Sequence, residues 1–116
     1  MDFANQAISR YTPVYDNKHR MDEMSVEDLT REAVIKAMDE YDKLGRNTFL
    51  EKYGFAKPRV FWIDYRDKVY PTKAIAGVAH KFLPPFFEQL YNSEFVGGMD
   101  GAAGVIEKLG FTLVKR

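Results

Sequence analysis

Hydrolytic chemistry needs an activated nucleophile or a metal held by converging ligands, and this chain offers little of either. It has no cysteine, and its two histidines are His19 and His80. His19 falls in an N-terminal stretch without helical period. His80 falls near the end of a helix, where a structural role is the ordinary one. Asp64 and Asp67 bracket a turn, and turn aspartates commonly bond nearby backbone rather than a metal. Gly97-Gly98 lacks the preceding strand and the later lysine of a phosphate loop. No catalytic residue, metal site or cofactor is therefore expected.

Anion binding is the better-supported chemistry. Lys73, in Val69-Tyr70-Pro71-Thr72-Lys73-Ala74-Ile75, stands in the first turn of a predicted helix, where the backbone's partial positive charge disfavours a cation. Helix-start amides and Lys73 together could hold one phosphate or carboxylate. Around it lie Lys57, Arg59, Arg66 and Lys68, with Tyr65 and Tyr70 interleaved, a composition suited to stacking on bases or to a protein partner. Formal net charge is zero, yet residues 52–82 carry 7 Lys/Arg against 2 Asp/Glu, while residues 1–51 carry 7 against 11. Two further readings stay open. The basic and acidic segments can neutralise one another, with Lys73 paired to Asp64, Asp67 or an acid of the first helix. Alternatively an acidic face of Glu32, Asp39, Glu40 and Asp42 can imitate phosphates towards a basic partner.

The elements that position these groups are legible. Leu29, Ala33, Val34, Ala37, Met38, Tyr41 and Leu44 form one helix face, capped by Ser25 with Asp28 or by Thr30, and ended at Gly45. A short helix, Asn47 to Tyr53, is expected to start on Asn47 and stop at Gly54. Val60 to Tyr65 and Val69-Tyr70 read as a β-hairpin around Arg66-Asp67-Lys68, with Arg59, Phe61, Ile63 and Tyr65 on one face. The helix opened by Pro71 or Thr72 buries Ala74, Ile75, Val78, Ala79 and Phe82 and ends at Pro84-Pro85. Gly77 in its middle implies a close crossing by another element. Phe86 to Tyr91 is expected to be a turn or two of helix, and Asn92 to Asp100 a loop. Ala102 to Leu109 then forms a last helix and Phe111 to Val114 a last strand.

The result is a small single α+β domain over 25–116, N-terminal helices packed on a short antiparallel sheet of the central hairpin plus the C-terminal strand. Residues 1–24, with Phe3, Tyr11 and Tyr15, are expected to be an N-terminal extension, either a loosely attached tail or an arm that adds to a sheet edge or touches a partner. Neither a membrane span nor a signal peptide is expected, and the absence of cysteine fits a cytoplasmic protein.

Read in order, the segments Asp28 to Val34, Tyr41 to Arg46, Phe49 to Phe55, Val69 to Gly77, Phe95 to Gly98 and Leu109 to Phe111 carry a further signal. They resemble the N-terminal head domain of McrA-like, modification-dependent HNH restriction endonucleases over about residues 25–114. That family's pattern is a helix ending in D-x-L-G, a K-Y-G-F helix end, a hairpin leading into Y-x-x-K-A-I-x-G-x-A, an F-x-G-G loop and a terminal L-G-F-x-V. The resemblance implies a module found beside DNA-reading and nuclease domains. No HNH nuclease or modified-base pocket is expected within these residues, so cleavage is not carried over. The expectation is a non-catalytic binding module linked to restriction and defence, with DNA or a nucleoprotein complex as its partner. The alternative is a small phage or mobile-element inhibitor, of anti-CRISPR or anti-restriction type, acting by protein–protein contact.

Overall fold

The computed structural model describes residues 24–116. The expected extension lies almost wholly outside the described residues, and Met24, at its boundary, is buried in the core. Ser25 and Asp28 cap each other reciprocally across a 3-10 turn, Val26–Asp28: Ser25 Oγ accepts the Glu27 amide at 3.0 Å and Asp28 accepts the Ser25 amide at 2.9 Å. Thr30 then caps helix α1, Arg31–Leu44, its hydroxyl accepting the Ala33 amide at 3.1 Å. The two candidate caps thus serve two successive elements.

Helix α2, Arg46–Tyr53, starts one residue earlier than expected, so Asn47 lies inside it and Gly45 stands at its start with no side-chain cap. Its Phe49, Leu50 and Tyr53 are buried, and Phe49 meets Tyr41 of α1 edge to face at 5.2 Å between ring centres.

Strands β1, Phe61–Tyr65, and β2, Lys68–Pro71, are joined through Arg66 and Asp67, whose φ angles are +56° and +60°. Left-handed backbone at both turn residues matches the twist of a two-residue hairpin, and here it is reached without glycine. β3, Thr112–Lys115, pairs antiparallel with the other edge of β1, giving the order β2-β1-β3. The register sets Ile63 between Tyr70 and Leu113, on the core side, and Trp62 between Pro71 and Val114. Arg59 precedes the strand, so the expected alternation does not reach it.

Helix α3, Thr72–Ala79, is the centre of the molecule: it packs on α1, on α2, on the sheet and on helix α4, Ala102–Lys108. Every residue of α3 but Lys73 is buried. It tightens into a 3-10 turn at His80–Phe82 rather than continuing as α-helix. Gly77 gives the crossing its room, since a Cβ there would run into the Phe55 ring and lie 2.7 Å from the Leu90 carbonyl oxygen. Leu90 donates its amide to Gly77 O at 3.0 Å. The helix expected over Phe86 to Tyr91 is absent, and the Leu90 amide, which a helix would turn back to Phe86 O, is given to α3 instead. The architecture is α+β, with four helices and one three-stranded antiparallel sheet among the described residues.

Candidate functional site

The basic hairpin and the acidic helix face meet each other. Arg66 reaches Asp39 at 2.8 Å and Asp42 at 3.5 Å, and Lys68 reaches Asp42 at 2.7 Å. Tyr70, wholly buried, donates its hydroxyl to the same carboxylate at 3.0–3.1 Å. Burial, reinforced by the Asp42 carboxylate, pushes the Tyr70 phenol up to about 12. Glu40, between Asp39 and Asp42 on α1, takes Lys81 at 3.2 Å, Lys52 at 3.4 Å and the Tyr53 hydroxyl. Four of the seven cations in residues 52–82 are therefore paired with α1. Glu32 is the one member of the acidic face outside these pairs, exposed in the first turn of α1. Tyr65 packs edge to face on Phe111, with Arg31 stacked over Phe111 at 4.3 Å and over Tyr65 at 5.9 Å.

Lys57, Arg59 and Lys73 are the remaining three, and the fold gathers them. They line a cleft of about 300 Å³ between the 56–61 connector, the start of α3 and the 92–98 loop. Lys57 and Arg59 are exposed and make no ion pair or hydrogen bond among the described residues. Among the described residues Lys73 pairs with no acid: it donates to the Asn92 carbonyl at 2.7 Å and lies 5.1 Å from the centre of the Phe95 ring. Burial lowers its pKa. Its aliphatic stem runs along Gly97, where a Cβ would approach it to 3.3 Å, so the Phe95-Val96-Gly97-Gly98 loop acts as the platform for Lys73. Pro71, at the start of α3, supplies no side-chain cap. No carboxylate lines the cleft among the described residues, and the field there favours an anion.

Three contributions had no clear signal in sequence. Thr72 lines the cleft, is 1% exposed, and its hydroxyl has no hydrogen-bond partner among the described residues. Asn92 acts through its backbone. On the far side of Lys57 a second recess, about 430 Å³, brings in Arg46 and Arg116 beside Trp62. Those two arginines were legible as charges but not as neighbours of Lys57.

His80 is 2% exposed and hydrogen-bonded through both ring nitrogens, Nδ1 to Glu88 O at 2.9 Å and Nε2 to Asp28 Oδ2 at 3.0 Å. It ties the first turn of the described chain to the end of α3. Burial pushes the Asp28 carboxyl up, but the hydrogen bonds from His80 and the Ser25 amide outweigh it and hold the group below its usual value. Asp64 and Asp67 are exposed near the hairpin turn. Among the described residues no three His, Asp or Glu side chains group as metal ligands would, and no helix is long and apolar enough to cross a membrane.

A search of curated proteins gives no match. Among solved structures the chain is similar to the Type IV phosphorothioation-dependent restriction endonuclease ScoMcrA, at 24% identity with a TM-score of 0.56. That match covers 76% of this chain but only 13% of the endonuclease, and the likeness is one of fold. The family model of the ScoMcrA-like N-terminal head domain matches residues 27–115, from the Ser25–Asp28 turn to the last strand. On that match the chain belongs to the ScoMcrA-like N-terminal head-domain family.

Proposed function

We propose that this chain is a non-catalytic binding module of a restriction or defence system that contacts nucleic acid through the rim of the α3 cleft. The observation that carries the reading is the sorting of charges. Arg66 and Lys68 are held by Asp39 and Asp42, whereas Lys57 and Arg59 stand exposed at the mouth of the cleft and, among the described residues, have no ion-pair partner and no acid lining the cleft beside them. Arg46 and Arg116 extend the same basic surface past Lys57. Local clusters of this kind can bind phosphates although the net charge is zero. The phosphate-mimic alternative draws less from the geometry, since Asp39, Glu40 and Asp42 are already paired within the molecule.

Fluorescence anisotropy with labelled duplex and single-stranded DNA tests the proposal. Each lost phosphate contact reduces the salt slope of log K by about one. The Lys57→Ala/Arg59→Ala pair should therefore weaken binding and flatten the salt dependence, while Arg66→Ala/Lys68→Ala should leave both nearly unchanged. Equal loss from both pairs, or no DNA binding at low salt, would overturn the proposal. In the latter case, affinity capture of a protein partner dependent on Glu40 and Asp42 would favour the inhibitor reading.

A further inference from the structure

We infer that the cleft at the start of α3 is a binding site for one phosphate group, carried either by a free nucleotide or by a nucleic-acid strand. This deepens the nucleic-acid reading and rests on it for the second source.

The inference starts from Thr72. A buried hydroxyl is almost always hydrogen-bonded, and in a helix it usually finds a carbonyl one turn back. Thr72 is 1% exposed and its Oγ1 has no partner among the described residues, yet the residue lines the cleft. An acceptor that enters from the cleft and reaches Oγ1 would satisfy it. The same spot lies at the N-terminus of an eight-residue helix that no side chain caps, so first-turn amides and the helix dipole favour a negative ligand there. Lys73 supplies the charge. Its ammonium has three donors, one of which is spent on Asn92 O. Asn92 and the Gly97 platform fix the stem, so a ligand meets a cation already in place. Acceptors only, no donors, are what such a set binds, and a phosphate oxygen is the simplest match. Phe61, Pro58 and Val60 form the apolar side of the cleft, and at about 300 Å³ it has room for a sugar beyond the phosphate.

The test is an amide-resolved NMR titration of the full chain with inorganic phosphate, with deoxyadenosine monophosphate, and with a short single strand bearing or lacking a 5′-phosphate. Thr72→Val removes the hydroxyl at nearly constant shape, and Thr72→Ser restores it. The expected result is that phosphate-bearing probes shift the amides of residues 72–74 and 97–98. Thr72→Val should then weaken binding by about tenfold, the effect of one lost hydrogen bond to a charged group. Thr72→Ser should bind like the parent. Because the hydroxyl has no partner among the described residues, Thr72→Val should melt no lower than the parent, which separates the result from misfolding. Failure of every phosphate probe to move these amides, or equal binding by Thr72→Val, would overturn the inference. If DNA binding needs Lys57 and Arg59 but ignores Thr72, the phosphate site falls and the wider reading stands. If phosphate and mononucleotide bind through Thr72 while no strand binds, the site stands with a free nucleotide as its ligand and the nucleic-acid reading falls.

Discussion

Replacing Asp42 by asparagine tests whether the hairpin's charges are committed to α1. The carboxylate accepts three donors: the buried Tyr70 hydroxyl at 3.0–3.1 Å, Lys68 at 2.7 Å and, more distantly, Arg66 at 3.5 Å. Asparagine keeps one acceptor for Tyr70 but loses the charge, which lowers that bond from charge-assisted to neutral at a cost of about 1 kcal/mol. Lys68 and Arg66 are 53% and 37% exposed. Solvent screening therefore limits their two ion pairs to roughly 0.5 kcal/mol each. Together Asp42→Asn should cost about 2 kcal/mol, seen in urea unfolding followed by circular dichroism as a fall in midpoint at constant slope. Asp39→Asn, which touches only Arg66, should cost under about 0.5 kcal/mol. The alkaline limb gives an independent readout. Because the folded Tyr70 phenol is raised from 10.0 to about 12, its contribution is complete below pH 10 and is lost as pH rises towards 12. Asp42→Asn should bring that loss to lower pH. Freed from Asp42, Lys68 should also begin to add to DNA binding. A stability change within error, with an unaltered alkaline limb, would refute the idea that Asp42 is the hub joining α1 to the hairpin.

Two other perturbations probe the frame that carries the cleft. Gly77→Ala gains up to about 1 kcal/mol of helix propensity, but its Cβ would meet the Phe55 ring and the Leu90 carbonyl. Overpacking of that kind typically costs about 1–3 kcal/mol, so the variant should unfold at lower urea; a gain in stability would mean the crossing is loose. For Asp28, whose pKa is lowered by folding, the linked stability is present above the unfolded value of 3.8 and is lost as pH falls through the folded value. Its carboxylate is 47% exposed, so screening keeps the effect below about 1 kcal/mol. Thermal midpoints of parent and Asp28→Asn should converge on acidification, and parallel pH profiles would contradict the His80–Asp28 link.

Local rules made much of this molecule legible. The apolar spacing of α1, the Thr30 cap, the hairpin, the last strand and the close crossing at Gly77 all follow from residue types a few positions apart. The partners of the charges do not. Arg66, Lys68 and Tyr70 lie 24–28 residues from the acids they meet, and only the packing of α1 beside the β2 edge brings them together. That is why basic hairpin and acidic helix could each be read as a free surface. Phe86 to Tyr91 failed as a helix for a related reason, since its backbone bond to Gly77 is tertiary and leaves no periodic trace. Thr72 was hidden because its burial comes from the tertiary packing around the start of α3, which no local pattern reports. Lys73, by contrast, was conspicuous from its place in the first helical turn, although its contact with Asn92 O was not.

The most direct test of the central claim is to map where DNA touches the chain, by following backbone amide shifts as a short duplex is titrated at low salt. The account predicts shifts concentrated at residues 56–61 other than Pro58, at 72–74 and at 92–98, weakening as salt is raised. Shifts confined to the hairpin tip at residues 64–68, or to the exposed face of α1, would contradict it.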